Sequence, residues 1–163
     1  MKNLFFITAL FFNMLVIHSQ ANSDSREATN LTWHTDVKEA LVVSNKENKP
    51  LLLFFTGSDW CGWCIKLQKE VLRTAEFEKW AAANVILVEL DFPRKNLQTP
   101  EMQNQNNQVM QAFGVQGFPT IHLVKATQKE GKVNFEGLGS TGYVPGGPTA
   151  FLEVANGIIH TQN

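Results

Sequence analysis

Apolar and polar positions alternate along the chain with two periods, one helical and one extended. Val37, Ala40 and Leu41 share a face at helical spacing, which predicts a helix over 35–47, with Thr35 able to cap it and Asp36 in its first turn. Asn48, Lys49 and Pro50 end it, because proline disfavours helical backbone in the residue before it. Residues 51–55 (LLLFF) are apolar at every position, the pattern of a strand covered on both faces. Thr56 to Trp60 reads as a turn. A helix follows from about Cys61 to Leu72; Thr74 restarts it, and Phe77, Trp80 and Ala81 carry an apolar stripe to Asn84. Residues 85–90 (VILVEL) form a second buried strand, ending at Asp91.

The segment 93–108 breaks this rhythm. It holds two prolines and is rich in Asn and Gln, so its first part is expected as a surface loop and its last part as a helix ending near Phe113, with Gly114 as the stop. Residues 120–125 read as a strand, 126–131 as a polar turn and 132–138 as the hairpin partner. A glycine-rich stretch over 137–147 precedes a final helix that Pro148 opens and that runs to about Ile159. The order is helix, strand, helix, strand, helix, strand, strand, helix. It implies a parallel βαβ unit followed by an antiparallel hairpin and a closing helix. The expected fold class is α/β, a three-layer α/β/α sandwich around a small mixed sheet.

The N-terminus has a different character. Lys2 precedes an almost unbroken apolar run from Leu4 to Ile17, followed by Ser19, Gln20 and Ala21. This is the pattern of a secretory signal, with cleavage after Ser19 or after Ala21. The run is shorter than the ~20 residues of a spanning helix. No cysteine follows it, which argues against a lipid-modified start. The expected organisation is a signal peptide over 1–21, a polar leader over 22–30 and one domain over 31–163. The expected location is periplasmic or secreted, with no stable membrane insertion after cleavage. The 163 residues suffice for one domain with a real core. Fourteen basic residues nearly balance fifteen acidic ones, so no strong field recruits nucleic acid or an anionic surface.

Only two cysteines occur, and they stand three residues apart in Trp60-Cys61-Gly62-Trp63-Cys64. Closing so short a loop adds little stability, because the entropic gain grows with loop length. A zinc site needs about four ligands, and after the expected signal segment the cysteines have only His34, His122 and His160, scattered along the chain, to join them. No metal or other cofactor is expected. A buried strand leads into the cysteines, which open a helix. The unpaired N–H groups and partial positive charge there favour a thiolate at Cys61, while Cys64 lies one turn on, within disulfide reach. Cys61 can then attack a partner's disulfide and Cys64 can resolve the mixed disulfide. Trp60 and Trp63 flank the pair and serve packing or substrate contact with equal weight. A second signal is Gly117-Phe118-Pro119-Thr120 at the start of a strand, where a proline has no N–H to offer the sheet and an X-Pro bond can be cis. On residues alone, an ordinary trans proline explains it.

Taken together these residues resemble the thioredoxin superfamily, in particular its exported bacterial thioredoxin-like branch, akin to the redox domain of periplasmic thiol–disulfide interchange proteins. The likeness spans about Leu31 to Ile159. It rests on Trp33, the Lys46-Glu47-Asn48-Lys49-Pro50 approach, the block from Phe54 through Cys64, Asp91, and Gly114-Val115 through Phe118-Pro119-Thr120. The resemblance implies a cis Phe118–Pro119 bond beside the cysteines, with Phe118 offering backbone hydrogen bonds to an extended substrate. The expected activity is that of an exported thiol–disulfide oxidoreductase acting through Cys61 and Cys64, with Trp60, Gly62, Trp63, Phe118 and Pro119 around the substrate. The expected partners are protein thiols and disulfides and a redox partner, met by a monomer. The alternative is a thioredoxin-like binding module that holds client chains with little turnover. One departure counts: many thioredoxins carry a buried acid six residues before the first cysteine, and Phe55 stands there. Proton handling at Cys64 is therefore open, and the Gly62-Trp63 dipeptide points to a reducing to intermediate potential.

Overall fold

A computed structural model describes residues 31–129 and 132–160; the segments expected as signal peptide and leader lie outside the described residues. Strand β1 (Trp33–His34) is followed by helix α1 (Val37–Glu47), strand β2 (Leu51–Thr56), helix α2 (Gly62–Leu67) and a π-helical turn, Gln68–Leu72. Helix α3 (Ala75–Asn84), strand β3 (Ile86–Asp91), helix α4 (Pro100–Ala112), strands β4 (Thr120–Lys129) and β5 (Lys132–Thr141) and helix α5 (Gly147–His160) complete the order. The sheet runs β1-β3-β2-β4-β5. β3 is parallel to both β1 and β2, whereas β4 is antiparallel to β2 and to β5. The expected mixed sheet, parallel in its first half and closed by a hairpin, is present.

Several boundaries differ from the sequence reading, each for a local reason. Asp36, not Thr35, caps α1: its carboxylate accepts from the N–H groups of Lys38 at 2.7 Å and Glu39 at 3.2 Å. Asn48 closes the helix with φ of 52°. α4 begins at Pro100, midway through the Asn/Gln-rich segment 93–108. Thr99 accepts from Met102 N–H, and a first-turn proline withholds only an N–H that has no helical partner. Ala126 to Lys129 belong to β4 and not to the hairpin turn. The two-residue β1 carries too little periodicity to be read from sequence; pairing with Leu87 and Val88 of β3 defines it.

The sheet separates two apolar layers because successive strand residues point to opposite faces. Leu52 and Phe54 of β2 pack with Cys61, Cys64, Leu67, Val71, Phe77, Phe151 and Ala155, under α2, α3 and α5. Leu51, Leu53 and Phe55 pack with Val37, Ala40, Leu41, Val88 and Leu90, under α1 and α4. Burying each of the large side chains contributes about 1.5–3 kcal/mol. β5 reaches the first layer through a bulge: Leu123 pairs with Gly139 and Val124 with Gly137, so Leu138 is the extra residue and turns into the core. Gly139 leaves room there for α5, since a Cβ at that position would lie 2.9 Å from Ile158.

Candidate active site

β2 delivers the chain to the site at its C-terminal end. There the carbonyl of Thr56 accepts from Phe92 N–H at 2.9 Å, tying the loop after β2 to the loop after β3. The Gly57 carbonyl accepts from Trp60 and Cys61 N–H at 3.2 and 2.8 Å, which folds the chain back and starts α2. Gly57 must lack a side chain because the Trp60 indole lies over it, 2.5 Å from where a Cβ would stand.

Cys61 caps α2 and is disulfide-bonded to Cys64, with their Cα atoms 5.2 Å apart. The Cys61 sulfur accepts from Cys64 N–H at 3.2 Å, and the Cys61 carbonyl from Cys64 and Ile65 N–H at 3.0 and 3.1 Å. α2 has no acid in its first turn to offset these donors. Cys61 keeps 6% of its surface exposed and Cys64 none, so only the first residue of the pair has any surface open to a partner. The structure thus forms the disulfide between the two cysteines that the sequence singled out.

The remaining sequence-predicted residues divide into two groups around this pair. Trp60 is pinned: its Nε1 donates to the Phe92 carbonyl at 2.8 Å, its ring meets Phe118 edge-on, and the Arg94 guanidinium lies 3.8 Å from its ring centre. Phe118 also stacks on Phe92, with ring centres 5.1 Å apart. The Phe118–Pro119 peptide is cis, and the Pro119 carbonyl faces Gly142. A cavity of about 290 Å³ opens beside Trp60 and Phe118, lined also by Met110, Val115, Gln116 and Gly117. Trp63 is turned the other way. It is 58% exposed and leans on Tyr143, with the Lys66 ammonium above both rings. Gly62 lies between the two, exposed, with open space where a side chain would project.

The acids near the cysteines are mostly committed to the loops. Asp91 accepts from Ser58 N–H at 2.8 Å and Ser58 Oγ at 2.6 Å. Asp59, half-buried on the turn, accepts from Arg94 and Lys95 N–H, and these bonds hold its carboxyl below the usual range. Sequence reasoning missed both clamps, because their partners lie more than thirty positions away. Glu89 is different. It lines a small cavity with Trp33, Phe54, Gln68, Leu72 and Arg73, where burial, then the neighbouring Asp91 charge, raises its pKa. Phe55 does not stand under the cysteines; it packs in the opposite layer, edge-on to His122. Among the described residues, no group of three or more His, Cys, Asp or Glu side chains could hold a metal ion.

A mixed sheet in this order, helices on both faces and a cysteine pair at the start of the helix after β2 define a thioredoxin-fold protein suited to thiol–disulfide redox chemistry. The family described as the thioredoxin-like domain matches residues 37–145, and the chain belongs to that family. It is 44% identical over 126 residues to the disulfide bond reductase DsbH of Chlamydia pneumoniae, a match covering 77% of this chain and 70% of that protein. It is 32% identical over 108 residues to the thioredoxin-related protein DsbJ of the same organism, covering 66% of this chain and 31% of DsbJ. A solved structure titled DsbH oxidoreductase superposes with a TM-score of 0.72 at 34% identity, covering 85% of this chain and 92% of that one.

Proposed function

We propose that this protein is an exported thiol–disulfide oxidoreductase whose principal reaction is reduction of protein disulfides, with isomerisation as a secondary capacity. The observation that carries the reading is the hydrogen bond from Cys64 N–H to the Cys61 sulfur, combined with the 6% of surface that Cys61 keeps and the complete burial of Cys64. On reduction the same N–H, at the positive end of α2, stabilises a thiolate at Cys61. That thiolate attacks one sulfur of a partner disulfide; the Cys61–partner bond forms and the other partner sulfur leaves as a thiolate. Cys64, deprotonated, then attacks the Cys61 sulfur. The Cys61–Cys64 bond forms, the second partner sulfur leaves, and two electrons have passed to the partner. A further redox protein supplies two electrons to reopen the pair.

On this reading Trp60, Gly62 and Trp63 supply the surface around Cys61, and the Phe118–Pro119 backbone receives an extended substrate segment, which the contact between Trp60 and Phe118 supports. DsbH is named as a disulfide bond reductase, which supports the reducing direction. The N-terminal apolar run supports export by a signal peptide over 1–21 to the periplasm or beyond, and a monomer is the working form. Among the described residues no helix is long and apolar enough to cross a membrane.

The test is insulin reduction with a thiol reductant, together with trapping. Wild type should accelerate insulin precipitation, Cys64→Ser should accumulate mixed disulfides through Cys61, and Cys61→Ser should be inactive and trap few. Binding of client proteins without acceleration, or equal trapping by both variants, would replace this reading with a holding module or reverse the two roles.

A further inference from the structure

Thr56 ends β2 and is fully buried, yet its hydroxyl is the one buried side-chain polar atom among the described residues with no hydrogen-bond partner. An unmade hydrogen bond of this kind costs about 1–3 kcal/mol. Apolar neighbours would accept valine here without that cost. Alternation along β2 puts Thr56 on the face of Leu52 and Phe54, and the cluster they join contains Cys61 and Cys64. The chain returns from Thr56 to Cys61 through one tight turn, so the hydroxyl lies at the same end of the sheet as the first turn of α2.

Resting on the oxidoreductase reading above, the geometry points to Thr56 Oγ1 as the positioning donor for the Cys64 sulfur once the disulfide is opened. In the disulfide form the hydroxyl donates to neither sulfur of the pair, although the Cys61 sulfur still accepts from Cys64 N–H. After reduction the two sulfurs are no longer bonded, and Cys64 must become a thiolate in an apolar layer before it can attack Cys61. A hydroxyl there donates to the thiolate and does not take its proton, which passes to solvent. The charged groups near α2 are engaged elsewhere. Asp91 is bound to Ser58, Asp59 to the 94–95 amides, and Glu70 accepts from Tyr143 at 2.6 Å. Lys66 lies over the Trp63 and Tyr143 rings. Arg73 donates to Gln68. Glu89, whose cavity also includes Gln68, one turn beyond Cys64, is the rival and is tested with it.

The experiment uses the full reduced protein and a chromophoric aromatic disulfide in stopped flow across pH. The first thiol released reports attack by Cys61 and the second reports resolution by Cys64. In Thr56→Val the second release should be about tenfold slower below the Cys64 titration, with its midpoint moved up by about one unit, as loss of a hydrogen bond to a charged group predicts. The first release should be unchanged, Thr56→Ser should restore the second, and oxidised Thr56→Val should melt no lower than wild type. Equal second release in wild type and Thr56→Val overturns the assignment, as does a slowing seen in Glu89→Gln and absent from Thr56→Val. A wild type that releases only the first thiol overturns the exchange reading itself.

Discussion

The two faces of the central sheet are built from one strand and serve different ends. On the face under α1 and α4, Leu51, Leu53 and Phe55 of β2 meet apolar side chains, and half-buried His122 is held between Phe55 and Phe113. On the other face, Leu52, Phe54 and Thr56 share their layer with a disulfide, an unpartnered hydroxyl and the buried edge of Glu89. The first face obeys the rule that interiors are apolar or satisfied. The second departs from it at the C-terminal end of β2, where the cysteines lie. The difference locates the chemistry more sharply than cavity size does: a cavity of about 500 Å³ lies by β1 and the ends of α1 and α3, away from the cysteines.

The strongest challenge to this division is Phe55→Asp. If Phe55 belongs wholly to the closed face, a carboxylate there has no partner and costs several kcal/mol of stability, on top of the lost ring. It should give no acceleration of Cys64 resolution in the protein that still folds. Chemical denaturation and the second thiol release measure the two effects. Faster resolution in Phe55→Asp would mean that position 55 reaches the cysteines, and that the faces communicate.

The two indoles sharpen the comparison at the site itself. Trp60 reaches toward the closed face through Phe92 and Phe118, and Trp63 toward the other through Tyr143. Trp60→Ala breaks a hydrogen bond, the edge-on contact with Phe118 and an Arg94 stack, and should lower stability by about 2 kcal/mol. Trp63→Ala removes a mostly exposed ring and should cost under about 1 kcal/mol, while slowing exchange with a protein disulfide more than with a small one. Equal losses of stability would show that Trp63 is as structural as Trp60.

Much of this was legible in the sequence because it is local. The LLLFF and VILVEL runs announce buried strands, and the cysteine spacing announces a disulfide at a helix start whatever the rest of the fold does. Residues whose role depends on distant partners were not legible. Asp59 reads as a turn residue and Asp91 as the end of a strand until Arg94, Lys95 and Ser58 meet them. Phe55 was placed under Cys64 by counting back from Cys61, and only the phase of β2 against the two layers shows which way it points. Thr56 read as the first turn residue because its hydroxyl ends an apolar run. In the fold it is the last strand residue, opposite Asp91.

The smallest expected effect is a pH response of opposite sign on the two faces. Burial lowers the pKa of His122, so the unfolded chain, with a histidine near 6.5, binds more protons than the folded one. Its contribution to stability is full above pH ~6.5 and is lost as pH falls through the folded pKa. On the other face burial raises the pKa of Glu89, so the folded state binds more protons there. That contribution is full below the unfolded carboxyl value near 4.3 and is lost as pH rises through the folded pKa. Between these limits acidification weakens one face and strengthens the other, so the wild-type unfolding free energy should change little with pH. His122→Phe should remove the weakening, leaving a protein that grows more stable on acidification. Glu89→Gln should remove the strengthening, leaving one that grows less stable. Both side chains keep some exposure, so solvent screening holds each effect to about 1 kcal/mol or less. Denaturant titrations near pH 5 and near pH 7 on wild type, both single variants and the double variant measure the slopes; same-sign slopes in the two single variants would show that the faces do not titrate independently.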